Sequence, residues 1–350
     1  MSNKILLGIG NIARKIKNLF IGVNGIARKV KRIYIGVADK AKLIWEPIDP
    51  NTGITWTARQ SATNNLWRSV CYAENKGLFV AVSNGGTSSR VMTSQDGITW
   101  TTRQPAADNQ WYSVCYAENK GLFVAVAFSG QVMTSPDGIT WTARQSAVNH
   151  RWNSVCYAEN LGLFVAVSEG DSSVMTSPNG INWTKRTSSD GSWQSVCYAE
   201  NKGLFVIVGM HSMGNRVATS PDGVTWTDRQ PAVDNQWRSV CYAENLGLFV
   251  AVANNGLGRH VMTSPDGITW TLRQSHASTN SNWKSVCYAE NLGLFVAVAT
   301  SGNDLIMTSP DGITWTTRQI PTASLYSVCY AENKGLFVIV GGSGSVMTSP

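Results

Sequence analysis

From Trp67 onward, short apolar runs alternate with polar punctuation on a repeating schedule. In "WRSVCYAENKGLFVAV", Trp67 to Val82, a period of two predicts a strand with Trp67, Ser69, Cys71 and Ala73 on one face and Val70 and Tyr72 on the other. The runs "WRSVCYAE", "GLFVAV", "RVMTS" and "ITWTTRQ", separated by Gly, Asn, Asp or Ser, predict four strands, A to D. The phrase returns with its cysteine at Cys71, Cys115, Cys156, Cys197, Cys241, Cys287 and Cys329, at spacings of 44, 41, 41, 44, 46 and 42. Seven four-stranded units of this length predict an all-β, seven-bladed β-propeller.

The seventh unit, Leu325 to Pro350, has runs A, B and C but no D, whereas a D-type run, Gly53 to Gln60, precedes the first unit. Joining them closes the ring and removes two exposed sheet edges. The expected propeller therefore spans 49–350, with blade seven made of 325–350 plus 53–60 and Val346 to Ser349 paired with Ile54 to Arg59.

Residues 1–48 carry a different repeat: "GIGNIARKIKNLF", "GVNGIARKVKRIY" and "GVADKAKLIW" align at a period of 14. Ile9, Ile12, Ile16, Leu19, Val23, Ile26, Val30, Ile33 and Val37 take alternating steps of three and four, as in a coiled coil. Against a helix stand five glycines, a hairpin-type Asn24-Gly25 and the strand-like "RIYIGV". The β reading, hairpins or an intertwined stem, is favoured for this small anchor module.

Charge separates the same two regions. Residues 1–48 hold ten Lys or Arg against two acids, and the remainder nineteen against twenty. The large domain thus lacks a basic field for nucleic acid, and such a partner is not expected; a basic arm on DNA is the competing use of 1–48. With 43% hydrophobic and 15% charged residues the chain can bury a large core. No apolar run reaches the roughly 20 residues of a membrane span, so no insertion is expected. "ILLGIG" is too short for a convincing signal peptide, which places the expected start near Met1. Seven cysteines at equivalent inner-strand positions predict free thiols rather than bridges, in keeping with a reducing cytosol.

The turn between strands C and D, "SPDGITW" from Ser135, Ser264 and Ser309, resembles a shortened Asp-box, the Ser-x-Asp-x-Gly-x-Thr-Trp turn of sialidase-type propellers. The copy Asp49 to Trp56 has the full family length, with Asp for Ser and Asn for Asp; Gln95, Asn179 and Asn182 are further departures. The resemblance implies a structural turn in which Asp accepts backbone N–H bonds, Gly takes a positive φ and Trp packs between sheets. A metal site using Asp96, Asp137, Asp222, Asp266 and Asp311 is the alternative.

Catalysis needs asymmetry, and the repeated Arg, Tyr and Glu positions supply none, so no catalytic, cofactor or metal residues are assigned and an enzyme is not expected. The A-to-B and C-to-D turns keep their lengths, whereas the B-to-C and D-to-A loops each vary from five to eight residues. Consecutive-strand geometry gathers the variable loops at one end. They contain Arg90, Phe128, His150, Arg151, Met210, His211, Met213, Arg259, His260 and His276, the candidate ligand-binding residues. The position after the strand A Trp also varies: Arg68, Tyr112, Asn153, Gln194, Arg238, Lys284 and, after Leu325, Tyr326. These seven are expected at the mouth of the central channel.

The basic phrase "IGVNGIARKVKRIYIGV" is similar to repeats near the ends of bacteriophage virion proteins, notably tail and fibre components, and the "TSPDGITWT" propeller repeats look like phage structural proteins. The resemblance implies a virion protein made in the bacterial host cytoplasm. Residues 1–48 would hold it to other virion proteins, as a homo-oligomer, and the propeller would bind a host-surface glycan or protein. The alternatives are a purely architectural or decoration propeller and, more distantly, a sialidase-like glycan-processing enzyme.

Overall fold

The computed structural model describes residues 20–23, 26–29, 33–37, 40–45, 51–170, 172–188, 191–210, 216–255, 260–275, 281–320 and 323–350. The chain divides after Pro50. In the first unit Phe20–Val23 pairs antiparallel with Ile26–Lys29, and Ile33–Val37 with Lys40–Trp45, each across a two-residue connection. Two antiparallel strand pairs, and not a heptad helix, therefore account for the described residues between 20 and 45. The glycines and β-branched residues there outweigh the three–four spacing of apolar positions.

The second unit is a seven-bladed propeller, each blade an antiparallel four-stranded sheet in the order A-B-C-D. Blade one comprises A (Trp67–Ala73), B (Leu78–Ser83), C (Val91–Ser94) and D (Thr101–Arg103). Blades two to six start their A strands at Trp111, Arg151, Trp193, Trp237 and Trp283. Blade seven takes A, B and C from Leu325–Ala331, Leu336–Gly341 and Ser345–Ser349, and D from Thr57–Gln60. Its closing register is Ser345 with Gln60, Val346 with Arg59, Met347 with Ala58 and Thr348 with Thr57. The pairing is shorter than the sequence predicts, because Ile54 belongs to the preceding turn.

Strand A departs from strict alternation. The register with strand B shifts between Trp67 and Ser69, and equivalent shifts recur in the other six blades. Each shift is a β-bulge that rotates the side chain before it to the opposite face. Trp67 consequently packs with Val70, Tyr72, Phe79 and Met92, not with Cys71 and Ala73 as a period of two predicts. Ala73, with Val80, Val82 and Val91, instead meets Trp111, Val114 and Phe123 of blade two. The core is thus a series of such interfaces, a large-residue face of one blade against a small-residue face of its neighbour.

Constant residues outside the core tie blade to blade. The Ser69 hydroxyl accepts from the Val114 backbone N–H at 3.1 Å, and the same bond recurs at every interface round to Ser327 and Val70. At the A-to-B turns, each tyrosine hydroxyl donates to an asparagine of the preceding blade, as Tyr116 does to Asn75 at 2.7 Å. Each of those asparagines donates in turn to a glutamate carbonyl of the following blade. The repeated phrase "SVCYAEN" therefore encodes the seams as well as a strand. The seven cysteines are free, and burial raises their thiol pKa values.

The C-to-D turn has an equally local cause. Asp96 Oδ1 accepts from the N–H groups of Ile98 and Thr99, the Ser94 hydroxyl accepts from Gly97 N–H, and the Trp100 indole N–H donates to the Gly97 carbonyl. Gly97 has φ +74°, and a Cβ there would lie 2.8 Å from Leu336 and 2.9 Å from Val338 of blade seven. Asn179 replaces the aspartate in blade three and accepts the same two backbone bonds at 2.9 Å. At the closing turn the backbone carbonyl of Asn51 substitutes for the carboxylate. Ser349, from the other end of the chain, supplies the hydroxyl to Gly53 N–H at 2.7 Å. Asp49, which the sequence suggests for the serine position, lies outside the described residues.

Candidate functional site

The bulge that sends each tryptophan into an interface leaves the next residue facing the channel. Arg68, Tyr112, Asn153, Gln194, Arg238, Lys284 and Tyr326 all line one central cavity of about 130 Å³, together with Arg151 and the seven inner-strand serines. The seven positions expected at the channel mouth are thus brought together, one from each blade.

The cavity wall is cationic and its cations are held in place. Arg68 lies 5.3 Å from the Tyr112 ring centroid and 4.2 Å from that of Tyr326. Arg151 lies 4.9 Å from Tyr112 and 5.2 Å from Phe128. Such cation–π stacking fixes a guanidinium without neutralising it. Arg151 also pairs with Glu169 at 3.1 Å, and Asn153 donates to the same Glu169 oxygen at 3.2 Å. Arg238 donates to Gln194 Oε1 at 2.9 Å, and its Nε and Nη2 meet the Asn254 amide oxygen at 3.0 and 2.8 Å once that amide is oriented by its neighbours. The surroundings lower the Arg238 pKa, chiefly by desolvation. Lys284 is pulled down to about 7, first by desolvation and then by repulsion from Arg238, Arg68 and Arg151, with Glu169 opposing.

Three polar atoms in this wall are buried without a partner: Arg68 Nε, Arg151 Nε and Gln194 Nε2, the last on a side chain only 8% exposed. Among the described residues, neither the Arg68 guanidinium nor the Lys284 ammonium has a hydrogen-bond acceptor or an ion-pair partner.

The variable loops converge at this same end. Backbone N–H groups at the ends of B strands donate to carbonyls of the D-to-A loops, as Asn84 to Leu66, Phe128 to Gln110, Met210 to Ser192 and Thr300 to Asn282. The ten loop candidates divide sharply. Arg151 and Phe128 reach the mouth, Phe128 being 41% exposed. His150 packs edge-on to Trp152 at 6.3 Å, and Met210 is half-buried. Arg90 is consumed by Asp108 at 3.1 Å, and Arg216 and Asp234 form a similar pair at 2.6 Å. His260 is a correction: it is fully buried, with Nδ1 3.2 Å from Ser275 Oγ, and cannot meet a ligand from solvent. His211, Met213, Arg259 and His276 lie outside the described residues.

Sequence reasoning missed Glu169, Gln194 as a buried donor, and Asn254. Glu169 could have been found as the acid just past the small residue that ends strand B, where the other six blades carry Asn84, Phe128, Met210, Asn254, Thr300 and Gly342. Asn254 gives no such signal.

Residues 39–191, less than half of the chain, match the family described as the DUF6242 beta propeller domain. No curated protein matches the chain. Among solved structures, virginiamycin B lyase from Staphylococcus aureus is similar with a TM-score of 0.71 at 8% identity, over 85% of this chain and 99% of the lyase. YCF48 bound to D1 peptide gives 0.64 at 16%, over 84% and 94%. The β-propeller domain of Cps50 (Swd1) from Myceliophteria thermophila gives 0.63 at 9%, over 84% and 99%. At these identities the likeness is one of fold. In sequence, residues 39–191 are similar to the DUF6242 propeller domain, and in fold the chain from residue 51 is a seven-bladed β-propeller.

Proposed function

We propose that this protein is a non-enzymatic recognition propeller that binds its ligand at the mouth lined by one variable residue from each blade. One observation carries the reading. Residues that repeat are spent on blade interfaces and seams, whereas residues that differ converge on a single cavity ringed by variable loops. Non-catalytic use is supported by the chemistry of that cavity. Its described lining has cations, amides, hydroxyls and two tyrosines, and the adjacent carboxylate of Glu169 is already engaged by Arg151 and Asn153.

The finer reading places the protein in a bacteriophage virion. Residues 1–48 attach it to other virion proteins as a homo-oligomer, and the propeller binds a host-surface glycan or protein. The resemblance of the basic repeat to phage tail and fibre proteins supports it, as does the Asp-box-like turn. YCF48, a propeller of similar fold, was solved with a peptide, which makes a protein ligand reasonable. A second reading, an architectural propeller, has its own observation. Ile54, Ile98, Ile139, Ile181, Val224, Ile268 and Ile313 form a repeated set of exposed apolar residues in the C-to-D turns, each 39–45% exposed. Such a set suits contacts that repeat with the blades.

Binding of the full chain to intact host cells and to a glycan array separates the two. The recognition reading expects binding that is lost when loop 209–216 or 127–131 is replaced by a Gly-Ser segment of equal length. Binding that survives every replacement at the variable end, but disappears when Ile139 and Ile268 become Asp, would instead establish the architectural reading.

A further inference from the structure

The cup at the mouth has a charge imbalance. Arg68, Arg151, Arg238 and Lys284 converge on it, and the acid that acts on them, Glu169, is ion-paired with Arg151. The partners that fix Arg68 and Arg238 are neutral: tyrosine rings for the first, the Gln194 and Asn254 amides for the second. Bringing cations together in a half-buried space costs free energy unless something compensates, and against these four the described residues set one carboxylate, Glu169, already paired with Arg151. At the same place Gln194 Nε2, on a side chain more than nine-tenths buried, has no acceptor, and Arg68 Nε has none either. Held but unneutralised guanidiniums, an unpaired ammonium and an unpaired amide donor make a preorganised receptor for oxygen anions.

We propose that this cup binds one oxyanion, a carboxylate or a phosphate, between Arg68, Arg238, Lys284 and Gln194. The proposal rests on the recognition reading and specifies its chemistry. The cavity, about 130 Å³ and ringed by side chains from all seven blades, has room for an anionic head group but not for a polymer. The ligand therefore inserts one acidic residue and leaves the rest to the surrounding loops. The anion has two possible sources, the acidic sugar of a surface glycan or free phosphate.

Lys284 makes binding pH-dependent. The groups acting on it are Arg238, Arg68 and Arg151, which lower its proton affinity, and Glu169, which raises it. A bound anion favours the ammonium, so binding takes up a proton near pH 7 and weakens above it.

The test is calorimetric titration of the full chain with galacturonate, galactose and inorganic phosphate at pH 6.0 and 8.5, for wild type, R68M, K284M and the distal control K76M. Thermal melts certify that each variant is folded. Expected are saturable 1:1 binding of an anion but not of galactose, at least tenfold weaker binding in R68M and in K284M, and no change in K76M. Wild-type affinity should fall at least threefold from pH 6.0 to 8.5, and K284M should lose most of that dependence. Tighter galacturonate than phosphate binding assigns the source to an acidic sugar, and the reverse to free phosphate. The proposal is overturned if neither anion binds folded protein at pH 6.0, if galactose binds as well as galacturonate, or if R68M and K284M bind like wild type. Cell binding that needs the loops yet ignores R68M and K284M would leave the recognition reading standing without this site.

Discussion

Ser349 and Gly53 stand 296 positions apart and make the bond that Ser94 makes to Gly97 three positions away. The turn is therefore specified by a hydroxyl, a glycine and an acceptor for two N–H groups, whatever the order of the chain. Its aspartates are exposed, yet they titrate abnormally. Slight burial works against ionisation, but the backbone donors and the serine hydroxyl prevail, holding Asp96 down to about 2 and shifting Asp137, Asp222, Asp266 and Asp311 the same way. A carboxylate whose pKa is depressed on folding stabilises above its unfolded value near 4, and that contribution disappears as pH falls toward 2. Thermal midpoints should fall steeply between pH 4 and 2, and replacing these five aspartates by Asn, as blade three already has at Asn179, should flatten the slope. Lys284 behaves oppositely in sign. Its folded pKa, about 7, lies below the unfolded ~10.4, so its penalty is fully present below pH 7 and is relieved as pH rises toward 10. K284M should raise the melting temperature at pH 6 and have little effect at pH 10.

At the scale of the strand, the bulge after each strand A tryptophan matters most. It sends Trp111 into an interface where the side chain is fully buried, so W111A should cost about 3–5 kcal/mol in denaturant unfolding. G97A, forced against blade seven at a positive φ, should cost more than ~1 kcal/mol by the same measurement. Strand order, blade number and the closing D strand were legible because periodicity, turn residues and the cysteine spacing all agree. The bulge was not legible: "WRSV" alternates as well as any regular strand, and the register shift arises from pairing with strand B. Hence Trp67 was assigned to the wrong face, although the neighbouring variable position was placed at the mouth. His260 was misjudged because a polar residue flanking a loop reads as solvent-facing, whereas Ser275 across the sheet gives its ring a buried partner. The fixing of Arg238 by Gln194 and Asn254 joins residues of two adjacent blades, a relation that no single repeat displays.

At the scale of the molecule, closure couples every interface to every other. Each seam uses the same serine, tyrosine and asparagine bonds, and the interface between blades seven and one is tied like the rest. Excising residues 51–60 would strip blade seven of its outer strand and leave Ser349 without Gly53. The melting temperature should drop by roughly 10 °C or more, with a broader transition, in scanning calorimetry. The same closing strand also sets a load path. The closing turn, 51–56, leads into Thr57–Gln60, which is paired edge-on to Ser345–Thr348 through four residue pairs and an Arg59–Thr348 side-chain bond, with the Gly53–Ser349 bond just ahead of it. A pull applied through the N-terminal segment against a ligand held in the mouth would therefore reach this short outer strand before any inner one. Single-molecule pulling on the N-terminal end should therefore open this seam first, before the six blades whose strands are continuous in sequence.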